Sequence, residues 1–230
     1  MSEGTVLVTG GTGAVGGAVV DALLESGWHV VATWLVPQER ERIQERPGLE
    51  LVEADLLNEE TVEETARAAA AGPGGLRAVV NLVGGYAAGA PLHETSLESF
   101  ERMFRLNLRP TFLVTRAAVP HLTAAGGGSI VCVSARAAIR PFAGAAAYVS
   151  SKAAVLAFAQ AVAADYRDAG VRCNAVLPSV VDTPANRAAE PEADHSRWVS
   201  PAEIAGVIRF LCSDDSAPIS GAAIPIYGRA

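Results

Sequence analysis

Short runs of aliphatic and β-branched residues alternate along the chain with longer stretches in which apolar positions recur every three to four residues. Thr5-Val6-Leu7-Val8-Thr9 is the first such run, and Val15, Val19, Ala22 and Leu23 give helical spacing over 14–25. Gly27 stands where a helix C-terminal cap is expected. Further runs at 29–33, 49–53, 77–83, 129–133, 171–177 and 222–226 predict strands, and 38–45, 58–71, 96–124, 145–169 and 201–212 predict helices. Pro110 is expected to bend the long helical stretch that contains Asn107. Gly126-Gly127-Gly128 and Gly170 punctuate the second half, and Ser200, followed by Pro201, is the expected N-cap residue of the last helix. Most strand runs are continuously apolar, as strands covered on both faces are. Strand-helix alternation implies crossover connections and hence a parallel sheet. The pattern predicts one α/β domain over 1–230, doubly wound, with about seven parallel strands and helices on both faces. The least regular stretch, 178–200, has the length of a functional loop or lid.

Composition narrows the function classes. Half of the 230 residues are hydrophobic and 19% are charged, so the chain can bury a substantial core. The formal net charge of −7 argues against a nucleic-acid binder, which needs a basic face. No run reaches the roughly 18–20 uninterrupted apolar residues of a bilayer span, and Met1-Ser2-Glu3-Gly4 does not open a signal peptide. Cys132, Cys173 and Cys212 have neither zinc nor disulfide spacing, and read as buried thiols in a cytoplasmic protein. His29, His93, His121 and His195 also lack metal-ligand spacing, so no metal is expected.

The turn after the first strand carries Gly11-x-Gly13-x-x-Gly16 within Thr9 to Gly16. Glycines there admit close backbone approach to a pyrophosphate, and helix N-terminal amides supply donors and partial positive charge. Between a strand and a helix at the chain start, this predicts a Rossmann-type nicotinamide dinucleotide site on Gly10, Thr12, Gly13, Ala14 and Val15. An acid closing the second strand would hold ribose hydroxyls and repel a 2′-phosphate; here Trp34 follows Ala32-Thr33, with Arg40 and Arg42 beyond. That favours NADP over NAD. Asp55 and Leu56, after the third strand, are expected at the adenine, and Leu82, Val83 and Gly84, after the fourth, beside the cofactor.

Tyr148 and Lys152 lie four apart, on one helical face. A free phenol ionises near pH 10, and a neighbouring ammonium lowers that value. Such a pair can exchange a proton with a carbonyl oxygen as hydride reaches its carbon.

Taken with Asn81-Leu82-Val83-Gly84, Asn107 and the segment from Pro178 through Val181 to Thr183, these residues make the chain resemble the short-chain dehydrogenase/reductase family over nearly its whole length. The resemblance implies that Tyr148 is the proton donor and acceptor, that Lys152 binds the nicotinamide ribose and tunes Tyr148, and that Asn107 holds a relay water. It also places Pro178, Val181 and Thr183 at the cofactor, and implies a homodimer or homotetramer assembled through the helices at 96–124 and 145–169, acting on a small molecule. The family's catalytic serine lies thirteen positions before the tyrosine, where this chain has Ala135; Ser134 is one residue earlier. Either a bulge brings Ser134 into the site or the serine function is missing.

The stretches 177–187 and 191–198, Ala135, and the aromatic in Gly84-Gly85-Tyr86 are similar to the dihydropteridine reductase branch, which reduces quinonoid dihydropterin. Trp34 and Asn107 depart from that branch. Other readings are a non-catalytic dinucleotide sensor, motivated by Ala135, and an S-adenosylmethionine site on the glycine turn. Tyr86 either lines the site or covers the fourth strand. Trp198 reads as a packing anchor, His195 as solvated and Arg187 as a loop ion pair.

Overall fold

A computed structural model describes residues 4–41 and 43–229. Arg42 and the first three residues, on which part of the cofactor and N-terminal readings fell, lie outside them. Seven parallel strands form one sheet: β1 (Thr5–Thr9), β2 (His29–Trp34), β3 (Leu49–Glu53), β4 (Leu76–Asn81), β5 (Gly128–Val133), β6 (Val171–Pro178) and β7 (Ala223–Ile226). Their order is β3-β2-β1-β4-β5-β6-β7. The helices are α1 (Ala14–Glu25), α2 (Pro37–Arg40), α3 (Glu59–Ala71), α4 (Leu97–Asn107), α5 (Arg109–Ala124), α6 (Ala146–Asp165), α7 (Pro184–Ala189) and α8 (Pro201–Cys212).

Alternation along each strand divides the core in two. Leu7, Val31, Val79, Ile130 and Cys132 pack beneath Val62 of α3, Leu113 and Leu122 of α5 and Val155 of α6. Val6, Val8, Val30, Val80, Val131 and Val176 pack on the other face beneath Val19 and Leu23 of α1 and Ile204 and Leu211 of α8. Leu7, Leu23, Leu122 and Leu211 are fully buried, each side chain contributing about 1.5–3 kcal/mol over an exposed one. Apolar residues on both faces of every central strand explain the continuous runs in the sequence.

Three elements differ from the sequence pattern. The stretch 96–124 is two helices rather than one bent helix, with Pro110 in the first turn of α5, where its missing amide costs nothing. Asn107 therefore closes α4. Among the described residues of the charged stretch 38–45 only 38–40 are helical, as the end of α2, and no residue of α2 is buried, so no packed face extends it. β2 continues to Trp34, which pairs with Glu53. By length and composition α6 could cross a bilayer, with a mean hydropathy of 1.3, yet Val155, Ala159 and Val162 on its inner face belong to the core. All three cysteines are free and buried.

The order in which strands are added reverses between β1 and β4, which are parallel neighbours whose connections leave on opposite faces. Open α/β sheets bind ligands at the carboxyl ends of strands beside such a switch.

Candidate active site

The glycine turn fills that switch point. Gly10 adopts φ +64, which only glycine takes without strain. Its amide donates to Thr33 Oγ1 at 3.1 Å, and Gly11 N donates to Thr33 O at 3.0 Å, fastening the turn to β2. Thr9 Oγ1 accepts from Leu82 N at 3.0 Å and so fastens it to the end of β4. A Cβ on Gly16 would stand 2.1 Å from Gly10 O, and one on Gly11 2.6 Å from the Ala32 side chain. These two glycines are required for close packing. Gly13 differs: it is the N-cap of α1, and neither a capping side chain nor a first-turn acid satisfies the helix amides there. Orphan donors at a helix N-terminus with no resident acceptor suit a pyrophosphate.

Gly16→Ala should fail at this point, because the atom in the way is backbone. About 1–3 kcal/mol of stability should be lost, together with dinucleotide binding. Thermal melting and a fluorescence titration with dinucleotide read the two effects. Binding at the parental affinity would remove the turn from the site.

Beside the turn lies a cleft of about 240 Å³ lined by Gly10, Thr12, Trp34, Asp55, Leu56 and Val83, six of the residues the sequence marked for cofactor. Its lining also includes Leu35, Val36, Leu106 and Pro110, which suit a flat apolar base, and Glu39 of α2. Thr12 Oγ1 donates to Glu39 Oε2 at 3.4 Å, tying α2 to the glycine turn. Arg40 takes another direction, donating to Glu45 Oε1 at 2.5 Å and to Ile43 O at 3.1 Å. Of the two bases that motivated the NADP reading, Arg40 is thus engaged elsewhere and Arg42 lies outside the described residues, while an acid, Glu39, lines the cleft. Glu39 went unrecognised in the sequence because 38–45 read only as a charged helix.

Further along the strand ends stand Tyr148 and Lys152, both from the first turns of α6. Lys152 is 7% exposed, and its Nζ donates to Val133 O at 3.0 Å. Burial brings its pKa down from 10.5 to about 8. Tyr148 is half-buried, and burial first, then the charge that Tyr86 would carry, push its phenol up to about 12. That direction is opposite to the lowering expected from a neighbouring ammonium, because desolvation is the largest influence on the phenol.

Asn107 is buried at the end of α4 and acts as a clamp. Its Oδ1 accepts from Gly85 N at 2.7 Å, and its Nδ2 donates to Ser151 Oγ at 2.8 Å. Ser151 Oγ in turn donates to Tyr148 O at 2.8 Å. Ser151 was missed in the sequence, although it directly precedes Lys152. Gly84 lies against the same group, since a Cβ there would stand 2.7 Å from Asn107 Oδ1 and 3.1 Å from Lys152 Nζ.

Ser134 is placed otherwise than a catalytic serine would be. It is buried, its amide donates to Val176 O, and its hydroxyl donates to Lys152 O at 2.7 Å. That bond makes it a strut between the end of β5 and the α6 backbone. Ala135, next along, has extended backbone with φ −157 and ψ 156, and no hydroxyl to offer.

After β6, Pro178 ends the strand and Val181 pairs with Val199. Thr183 caps α7, accepting from Asn186 N at 3.2 Å. Arg187 forms the ion pair expected of it, to Asp182 at 2.5 Å, which holds that carboxyl below its usual range. The His195 ring lies against that of Trp198, with centroids 4.3 Å apart and planes tilted at 47°.

Comparison with known proteins gives a consistent picture. The family model described as enoyl-(acyl carrier protein) reductase matches residues 11–228. The chain is 31% identical to 2-(R)-hydroxypropyl-CoM dehydrogenase of Xanthobacter autotrophicus over 240 residues, covering 96% of each protein. It is likewise 31% identical to D-threitol dehydrogenase of Mycolicibacterium smegmatis, over 96% of this chain and 90% of that one. A short-chain type dehydrogenase/reductase from Mycobacterium ulcerans superposes with a TM-score of 0.93 at 27% identity, over 100% of this chain and 90% of that one. ElxO with NADP bound superposes at 0.91 and 25% identity, over 99% and 98%.

Proposed function

The chain belongs to the short-chain dehydrogenase/reductase family, and from that premise we propose that it is a nicotinamide-dependent oxidoreductase interconverting a small carbonyl compound and its alcohol, with Tyr148 as the acid and base. The observation that carries the reading is the convergence of Tyr148, Lys152 and Asn107 on the strand ends beside an uncapped α1 N-terminus. The relatives' names add support, since both are dehydrogenases named for hydroxylated small molecules.

The residues fit a dinucleotide. Gly10, Thr12, Gly13, Ala14 and Val15 would hold its pyrophosphate, and Trp34, Asp55 and Leu56 its adenosine. Leu82, Val83, Gly84, Pro178, Val181 and Thr183 would border the nicotinamide half, with Lys152 on its ribose. When bound, the reduced cofactor supplies a hydride. Tyr148 then gives its proton to the substrate oxygen, so that carbon receives the hydride and oxygen the proton. Lys152 places an ammonium close to the phenolate left behind and eases its formation. Asn107 keeps the strand-end loop and α6 in register while this happens.

Glu39 sets the cofactor preference in this reading. A carboxylate lining the adenosine cleft accepts from ribose hydroxyls and repels a 2′-phosphate. NADH should therefore bind more tightly than NADPH, and Glu39→Gln should narrow the gap by roughly tenfold, measured by fluorescence titration. Tighter NADPH binding by the parent protein would defeat this assignment.

The activity itself is tested by following NADH oxidation against ketones, quinones and quinonoid dihydropterin. The pterin reading is favoured by Ala135, because a delocalised, easily reduced ring needs less help at its heteroatom. Tight dinucleotide binding without turnover on any of these would support the sensor alternative instead. Exposed Phe100 and Phe112, on α4 and α5, support assembly as a homodimer or homotetramer, which light scattering would check. Three buried thiols suit a reducing, cytoplasmic setting.

A further inference from the structure

Ala135 leaves this site one hydroxyl short. Ser134 does not fill the gap, since its hydroxyl is engaged by the Lys152 carbonyl oxygen. Charge developing on a substrate oxygen is best stabilised by more than one preorganised donor, and loss of one such donor costs about 10²–10³ in turnover.

A second phenol stands beside the first. The Tyr86 ring meets that of Tyr148 edge-on, with centroids 4.9 Å apart and planes at 79°. It is 65% exposed, so core packing does not account for it. The backbone holds it there. Gly85, directly before Tyr86, donates its amide to Asn107 Oδ1, and Asn107 reaches Tyr148 O through Ser151. One buried asparagine thus ties the segment carrying one phenol to the segment carrying the other. An anionic Tyr86 would also make Tyr148 harder to ionise, as two neighbouring phenols do.

Resting on the oxidoreductase reading above, we propose that the Tyr86 hydroxyl is a second hydrogen-bond donor to the substrate oxygen, taking the part of the hydroxyl that Ala135 lacks. Tyr148 alone transfers a proton. Tyr86 keeps its own, so one hydride to carbon and one proton to oxygen still complete the reduction.

Tyr86→Phe keeps the ring and removes only the oxygen. With 9,10-phenanthrenequinone as acceptor and NADH as donor, kcat should fall about ten- to a hundredfold while dinucleotide affinity stays unchanged. Adding Ala135→Ser to that variant should restore much of the loss, which a merely structural Tyr86 would not allow. Activity of Tyr86→Phe within about twofold of the parent, or no rescue by Ala135→Ser, overturns the proposal. Tyr148→Phe run alongside separates the two levels. If it too keeps the parental rate, the oxidoreductase mechanism itself fails; if it alone is inactive, only the role of Tyr86 does.

A second readout applies whatever the rate with the quinone. The difference in ultraviolet titration between each protein and its Tyr148→Phe counterpart isolates the Tyr148 phenol. Its midpoint, pushed up to about 12 in the parent, should drop when Tyr86→Phe is present. An unmoved midpoint would mean that the two phenols do not share one locus, and would overturn the proposal.

Discussion

Lys152→Met is expected to give a protein that is more stable at neutral pH and almost without turnover. The ammonium is buried and donates to a backbone carbonyl, Val133 O. Burial lowers its pKa from 10.5 to about 8. A base whose folded value is depressed weakens the fold wherever it must stay charged: fully below pH 8, progressively less up to 10.5, and not at all above. Each pKa unit is worth about 1.4 kcal/mol, so the charge costs about 3 kcal/mol at pH 7. Methionine fills similar space and forfeits about 1 kcal/mol of hydrogen bonding. The net gain of about 2 kcal/mol should raise the thermal midpoint by roughly 4–8 °C. The gain should shrink as pH rises through 8 toward 10.5. A midpoint that falls at pH 7 would show that the ammonium is better solvated than its burial implies.

Tyr148→Phe should reduce turnover by about 10²–10⁴ and leave dinucleotide affinity nearly unchanged. The aromatic ring is kept without its hydroxyl, so its edge contact with Tyr86 remains. With its pKa pushed up to about 12, Tyr148 is protonated throughout the neutral range. That is the form needed to reduce a carbonyl. Oxidation of the alcohol needs the phenolate, so its rate should climb with pH while reduction does not. Initial rates in both directions across pH 6–10 would check this. Equal pH dependence in the two directions would count against Tyr148 as the proton carrier.

These two side chains were legible in the sequence because their spacing puts them on one helical face, and because the glycine turn announces a dinucleotide. The sheet was equally legible. Residues such as Val6, Leu7 and Val8 are apolar at consecutive positions, which a one-sided sheet would not tolerate. What escaped the sequence depends on tertiary direction. Helical spacing alone does not show that the chain breaks at Leu108, so Asn107 seemed to sit within a bent helix rather than at the end of one. Charge pattern extended α2 beyond Arg40, and that obscured which of Glu39 and Arg40 meets the cleft. Ser134 and Ala135 were ambiguous because one residue on a strand changes its face. In the fold the Ser134 hydroxyl donates to Lys152 O, a contact that depends on how β5 meets α6.

The most direct test of the account is a crystal structure of the complex with NADH and a bound carbonyl compound. Nicotinamide C4 should lie about 3–3.5 Å from the carbonyl carbon, with Tyr148 Oη within hydrogen-bond reach of the carbonyl oxygen and Lys152 Nζ on the ribose. A nicotinamide ring bound away from Tyr148, with another side chain holding the oxygen, would contradict it.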